Sequence, residues 1–534
     1  MTERLVLENA RIVDGTGSPW FRGSVSVVDG VIERVDRATE VERSGATVVD
    51  VGGDVVCPGF IDTHSHSDLL LFSDPTLEPK LRQGITTEVV GPDGFSMAPI
   101  YREGGPEEWS HHLSGLVGDA ETDWEWGSVG DYLDAVERRG VAPNVATFVG
   151  HGAIRYDVLG MSDREPTADE LDEMRALVRE GLDDGAVGLS TGLVYAPQAA
   201  AGTDELVALA EELAPYARPF RAHIRSESRG IWAALSELFR VGERASVSVH
   251  VDHYKLAGAA QHGLASRSNA LIEAARARGI DVTAEQYPYA AGNTMLSAVL
   301  PPWVHAEGPE GTLTRIADPD VRERIRRDVE EWRIEGWENT GFRSGWENVV
   351  VTGIEDPEWV EWDGESVATI AAGVDDTPID VVCDLLLAED LDVSMVLHVM
   401  DEADVREIMR QEWVNVCTDG LLGGTPHPRT YGTYPRLLGT YVREEKVLSL
   451  PEAIRKTTSL PARAMGFERK GLVREGMDAD LVVFDPHRVG SPATYDEPRR
   501  FPKGIDHVVV GGEFAVRDGQ TTGATPGAAI RVGE

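Results

Sequence analysis

Between residues 57 and 420 the chain repeats one device: a short apolar run ending in polar or ionisable residues, followed in several places by a helical stretch. The runs are CPGFIDTHSH, ITTEVVG, NVATFVGHG, GAVGLSTGL, PFRAHIR, SVSVHVDHYK, DVTAEQYPYA, SMVLHVMD and VNVCTDG. TADELDEMRALVREGLDDG is the plainest of the helices between them. Apolar strands alternating with helices signal an α/β fold with a parallel sheet, here a (β/α)8 TIM-like barrel, whose sites are built at the C-terminal ends of the strands. Nine runs are one too many for eight strands, so SMVLHVMD or one of its neighbours belongs elsewhere.

The two ends read differently. VSVVDG and VVDVGGDVV near the start, and GLVREGMDADLVVFDP and IDHVVVGGEFAVRDG near the finish, are short strands closed by Gly and Asp turns. We expect one small β-sandwich assembled from residues 1–57 and 467–534, flanking a barrel of residues 58–466. At about 295–390 a segment rich in charge and tryptophan (Trp303, Trp332, Trp337, Trp346, Trp359, Trp362) interrupts the alternation. An insertion after a barrel strand lies on the loop side. It is either a lid over the pocket or a unit whose tryptophans pack a core of their own.

Composition narrows the partners. With 50 basic and 91 acidic residues the net charge is −41, which repels phosphate backbones and argues against nucleic acid. No apolar run approaches the roughly 18 residues that span a bilayer, and MTERLVLENARIVDG lacks the features of a signal peptide. The expected setting is the cytoplasm, away from membranes. Cys57, Cys383 and Cys417 show no paired spacing and read as small core residues in a reducing interior. Lysine occurs six times only: Lys80, Lys255, Lys446, Lys456, Lys470 and Lys503. Abundant acid with scarce lysine resembles the surfaces of salt-in halophiles, the plainer alternative being an ordinary acidic enzyme.

The chemistry gathers at strand ends. In GFIDTHSHSD, His64 and His66 are two apart, so on a strand both face one side and reach one metal. His223 lies in FRAHIR, His253 in VHVDHYK and Asp419 in VCTDG. Four histidines and a carboxylate converging on a barrel mouth suit zinc or a similar divalent ion. Lys255, two beyond His253, shares its face and offers a cation to a carboxylate-bearing small molecule.

These motifs resemble the amidohydrolase superfamily, and within it the D-aminoacylases, the N-acyl-D-amino-acid deacylases. The likeness also runs through KLRQGITTEVVG, LSTGLVYAP, HIRSE, YPYAAGNTML, GGTPHPRTYGTYPRLLGTYVREE and TTSLPARAMGFERKGLVREGMDADLVVFDP. The resemblance implies that His223 and His253 hold the main zinc and that His64 and His66 form an adjacent metal position. It further implies that Asp419 is the catalytic acid/base and that Lys255, Tyr287 and Arg429 grip the substrate's α-carboxylate. One or two divalent metals are expected, with Mn2+ or Co2+ as alternatives to Zn2+.

One position departs from the family. Where D-aminoacylases carry Asn-Cys-Gly-Phe-Ser, this chain has Pro92-Asp93-Gly94-Phe95-Ser96. A carboxylate is also an anionic ligand, so Asp93 is expected to ligate or bridge the metals and make the site harder, the alternative being that it points away. His151 in GHGAIR either lines the pocket as a substrate-binding residue or makes a loop hydrogen bond. His398 and Cys417 read as core, and His111 and His112 as solvent-exposed. The implied reaction is metal-dependent hydrolysis of N-acyl-D-amino acids. A cyclic-amide hydrolase of the hydantoinase or dihydroorotase type is a second reading, but the carboxylated lysine those enzymes carry on the fourth strand has no counterpart in GAVGLSTGLVYAP. A catalytically impaired ligand-binding homologue is a third, and the retained histidines and Asp419 speak against it.

Overall fold

A computed structural model describes residues 4–37, 43–117, 124–334, 336–422 and 425–533. Parts of the expected N-terminal sandwich (1–3 and 38–42) and the two glycines of the GGTPHP loop (423–424) lie outside the described residues.

The barrel strands are β1 (Phe60–Asp62), β2 (Ile85–Val90), β3 (Asn144–Thr147, continued as Val149–Gly150), β4 (Leu189–Gly192), β5 (Phe220–His223), β6 (Val249–Val251), β7 (Val282–Gln286) and β8 (Val414–Val416). β1 to β3 pair in parallel, as do β3 to β8 in order. The ring closes just beyond the strands, where Ser65 bridges Gly420 and the Asp419 amide donates to the His64 carbonyl at 2.9 Å. Nearly every strand residue is buried, because helices cover the outside and side chains fill the inside.

SMVLHVMD is the surplus run. Its strand Ser394–Leu397 pairs antiparallel with both Gly292–Met295 and Val349–Thr352. The insert therefore reaches from 292 to 400, slightly beyond the expected span, and has its own core around Val299, Val351, Ile370, Leu386 and Met395. Trp337 is buried in that core and Trp303, Trp346, Trp359 and Trp362 pack partly against it. Trp332 lies under the Arg229 guanidinium at 4.5 Å.

Among the described residues the β-sandwich domain draws nine strands from both ends of the chain. The halves meet where Leu481–Phe484 pairs antiparallel with Val55–Pro58. Alternation sends Val56, Leu481 and Val483 to one core with Leu5 and Val25. Val55, Cys57, Val482 and Phe484 face the other way, onto Tyr434, Leu437 and Tyr441 of the barrel's helical layer. Both faces are covered, which explains why these strands read as unbroken apolar runs.

The last residues leave the sandwich. Val145 donates to Ala528 O (2.9 Å) and accepts from Ile530 (2.7 Å), and Val532 packs against Ile61, Val89 and Val187 at the foot of the barrel. Lysine is mostly internal: Lys80, Lys255 and Lys456 are buried and Lys470 largely so, while Lys446 and Lys503 are exposed. Among the described residues no helix is long and apolar enough to cross a membrane.

Candidate active site

His64 and His66 follow β1, Asp93 sits in the turn Pro92–Gly94 after β2, His223 ends β5, His253 follows β6 and Asp419 follows β8. Asp93, His253 and Asp419 have φ of 55°, 30° and 49°. Left-handed backbone is uncommon outside Gly, Asn and Asp, and its concentration at one place is a feature of functional sites.

Asp93 is the centre of the cluster. Its Oδ2 lies 3.4 Å from His64 Nε2 and 3.8 Å from His66 Nε2, and its Oδ1 lies 3.5 Å from His253 Nε2 and 3.9 Å from His223 Nδ1. Asp419 Oδ1 is 3.5 Å from both His64 Nε2 and His66 Nε2. Two donors held about 2.1 Å from one tetrahedral ion stand about 3.4 Å apart, so these spacings suit a shared metal. His64 Nε2, His223 Nδ1 and Asp93 Oδ1 are buried without a hydrogen-bond partner, the condition a ligated ion relieves.

The electrostatics agree. Burial opposes a charge on His64, yet Asp93, Asp419 and Glu285 raise it well above the usual imidazole range. Burial and Lys255 likewise oppose a charge on His253, but Glu227 and Asp93 lift it to about 9. Burial holds His223 down at about 3. The carboxylates thus draw positive charge into a dry cluster, and a divalent cation would supply it in place of protons. His64, His66 and Asp93 form one three-ligand set and Asp93, His223 and His253 another, each with its donor atoms within 4.8 Å. A further set, His64, Asp252 and Glu285, already surrounds a cation: Arg221 reaches Asp252 at 2.7 Å and Glu285 at 2.5 Å.

Residues that sequence reasoning missed hold this cluster in place. Glu285 Oε1 is 2.5 Å from His64 Nδ1, leaving Nε2 free to ligate an ion, and Glu285 also accepts from the Thr63 hydroxyl. Lys80 Nζ contacts Asp62, Glu88 and Ser65 at 2.9 Å and Thr418 at 3.0 Å, fastening β1 to the residue before Asp419. The signal for Arg221 and Glu285 was strand alternation: each stands two residues before a selected one, His223 and Tyr287, on the same strand face.

A cavity of about 50 Å³ opens on the cluster and is lined by His66, Asp93, His253, Lys255, Tyr287 and Asp419, among others. Lys255 bonds Glu227, a further missed partner, and stands 2.7 Å from His253 Nδ1. Tyr287 Oη is buried and unpartnered, and burial raises its pKa so that it remains a donor. Arg429 is fully buried behind Asp419 (3.0 Å), donates to Asn293 O (3.0 Å) and lies 4.5 Å from the Tyr287 ring. Burial opposes ionisation of Asp419, but Arg429 and His64 keep it well below the usual carboxylate range.

His151 is not brought into this cavity. Its Nδ1 is 2.8 Å from Thr191 Oγ1 and its Nε2 is 2.9 Å from Glu205, which also binds Arg155. Burial gives it an internal hydrogen-bonding place instead. His112, expected at the surface, is buried against Ala196 O at 3.1 Å because its helix packs on the barrel. His398, expected in the core, is exposed and stacks edge-on with Tyr495 at 4.9 Å. Cys417 is buried beside Tyr287 and Tyr289, and Cys57 and Cys383 are buried and free as well.

The profile of the Amidohydrolase family matches residues 47–516, and the chain belongs to that family. It is similar to a D-aminoacylase of Alcaligenes xylosoxydans, 32% identical over 532 residues that cover 98% of this chain and 96% of the relative. A solved D-aminoacylase with a binuclear metal centre superposes with a TM-score of 0.83 at 32% identity, covering 99% of each chain. The N-acyl-D-glutamate deacylase of Bordetella bronchiseptica, solved with zinc and a phosphonate mimic of the tetrahedral intermediate, superposes with a TM-score of 0.81 at 31% identity, also over 99% of each chain.

Proposed function

We propose that this protein hydrolyses the amide bond of N-acyl-D-amino acids, releasing a carboxylate and a free D-amino acid. One observation carries the reading: His66, His223, His253 and Asp93, clustered with His64 just beneath them, line one cavity with Asp419, Lys255 and Tyr287. In this reading His64, His66 and Asp93 hold one divalent cation, and Asp93, His223 and His253 hold the other. When bound, such a cation polarises the scissile carbonyl and acidifies water. Asp419, kept ionised by Arg429, accepts the proton of the attacking water and returns it to the departing amine nitrogen. Tyr287 donates its free hydroxyl to the substrate carboxylate, and Lys255 and Arg429 supply the cationic surroundings that orient it. His151 has no part in this scheme.

We infer in addition that the acidic, lysine-poor surface belongs to an enzyme of a salt-rich cytoplasm. The test is a panel of N-acetyl-D- and N-acetyl-L-amino acids in low and molar salt, with Zn2+, Mn2+ or Co2+ added singly. D-selective turnover is the expected result. Absence of turnover with every substrate and metal overturns the reading.

A further inference from the structure

The insert meets the barrel along a seam that holds a second cavity of about 350 Å³. Trp303, Ile334 and Trp337 line it from the insert, and Leu193, Val194 and Ala200 line it from the segment after β4. It adjoins the metal-site cavity, since Val194 and Glu338 line both. Glu338 is a fixed part of that boundary: it accepts from the Ser226 hydroxyl (2.5 Å) and the Ser228 hydroxyl (3.0 Å), and it pairs with Arg343.

The two volumes differ in what they admit. Pockets that enclose small ligands run from about 300 to 1,000 Å³. The 50 Å³ beside the metal cluster falls far below that range and the seam cavity falls within it. An acylated amino acid held at the cluster therefore extends into adjoining space.

Position decides which end extends there. Lys255, Tyr287 and Arg429 lie on the segments after β6, β7 and β8, whereas the seam cavity lies on those after β4 and β5, where Arg225 joins its lining. In an N-acyl amino acid the acyl chain is the end remote from the carboxylate. We propose that the seam cavity receives a long apolar acyl chain, with Trp303 and Trp337 as specificity residues, so that the preferred substrates are N-long-chain-acyl-D-amino acids. This assignment rests on the deacylase reading above.

The test uses the zinc-loaded full chain with N-acetyl-, N-hexanoyl- and N-decanoyl-D-alanine and, separately, N-acetyl-D-tryptophan. The ratio kcat/KM is measured for the wild type, Ala200→Trp, which fills the cavity from the barrel side, and Trp303→Ala, which removes one wall. Calorimetric Kd is measured for the same three with Asp419→Asn added, so that the ligand stays intact. From acetyl to decanoyl, kcat/KM and affinity are expected to improve at least about tenfold, in line with burial of added methylenes. Each variant is expected to lower the decanoyl-to-acetyl ratio. A flat series, or a ratio unchanged in both variants, overturns the proposal. If N-acetyl-D-tryptophan gains the affinity and loses it in the variants, the cavity holds the amino-acid side chain and the acyl assignment falls. If nothing is turned over, the deacylase reading fails, while the binding series still decides what the cavity accepts.

Discussion

Asp93 turns one carboxylate oxygen toward His64 and His66 and the other toward His223 and His253. A thiolate offers a single, softer donor atom, so Asp93→Cys should shift metal preference from Mn2+ toward Zn2+. Dialysis against equal concentrations of the two ions, followed by metal analysis, reads the shift. Asp93→Ala should retain less metal than the wild type, and full retention would remove Asp93 from the ligand set. Glu285 acts at one remove by fixing the His64 ring. Glu285→Gln is expected to weaken metal binding about 10–100-fold in a chelator competition while leaving the circular dichroism spectrum intact. The grouping of His64, His66, His223, His253 and Asp419 was legible because each closes an apolar run, though His151 closes one too and stays outside the cavity. Strand alternation marks the place of Glu285 but not its partner 221 residues away, and Glu227 and Lys80 carry no local signal because their roles depend on partners 28 and 18 residues away. Local pattern carries no such information.

At the level of elements, β4 ends in Gly192 for a steric reason. A Cβ there would stand 2.5 Å from the Asp93 carbonyl oxygen and 2.9 Å from the Tyr195 ring, so the turn bearing Asp93 packs directly on bare backbone. Gly192→Ala should displace that turn and lower metal content and activity together. At Gly490 a Cβ would meet only Arg443 at 3.7 Å, and Gly490→Ala should change stability by no more than about 0.5 kcal/mol. Equal metal content in the two variants would discount the packing argument. Eight of the nine apolar runs belong to the barrel, and the ninth shows what pattern alone leaves open. Ser394–Leu397 is as short and apolar as the barrel strands, and its antiparallel partners, Gly292–Met295 and Val349–Thr352, separate it from them. Likewise, nothing in the final residues of the sequence distinguishes a sandwich strand from the tail that pairs with Val145.

For the molecule as a whole, the charge of −41 sets the response to salt. The Debye length falls from about 10 Å at 0.1 M to about 3 Å at 1 M, so self-repulsion fades as salt rises. The melting temperature should therefore climb between 0.1 and 2 M KCl, read by scanning calorimetry, and a flat or falling trend would contradict a salt-adapted surface. Composition made the acidity and the rarity of lysine legible, but not where the lysines go. Lys80, Lys255 and Lys470 each end on carboxylates inside the fold, and Lys456 donates to the carbonyls of Gln411 and Val414. Lys446 and Lys503 are left at the surface. A lysine-directed endoprotease acting on the native protein thus meets two accessible cleavage points, and an amine-reactive label has the same two side chains to find. Among the lysines, exhaustive labelling of the folded enzyme should stop at those positions, and a tag at Lys80 or Lys456 would report that the barrel had opened.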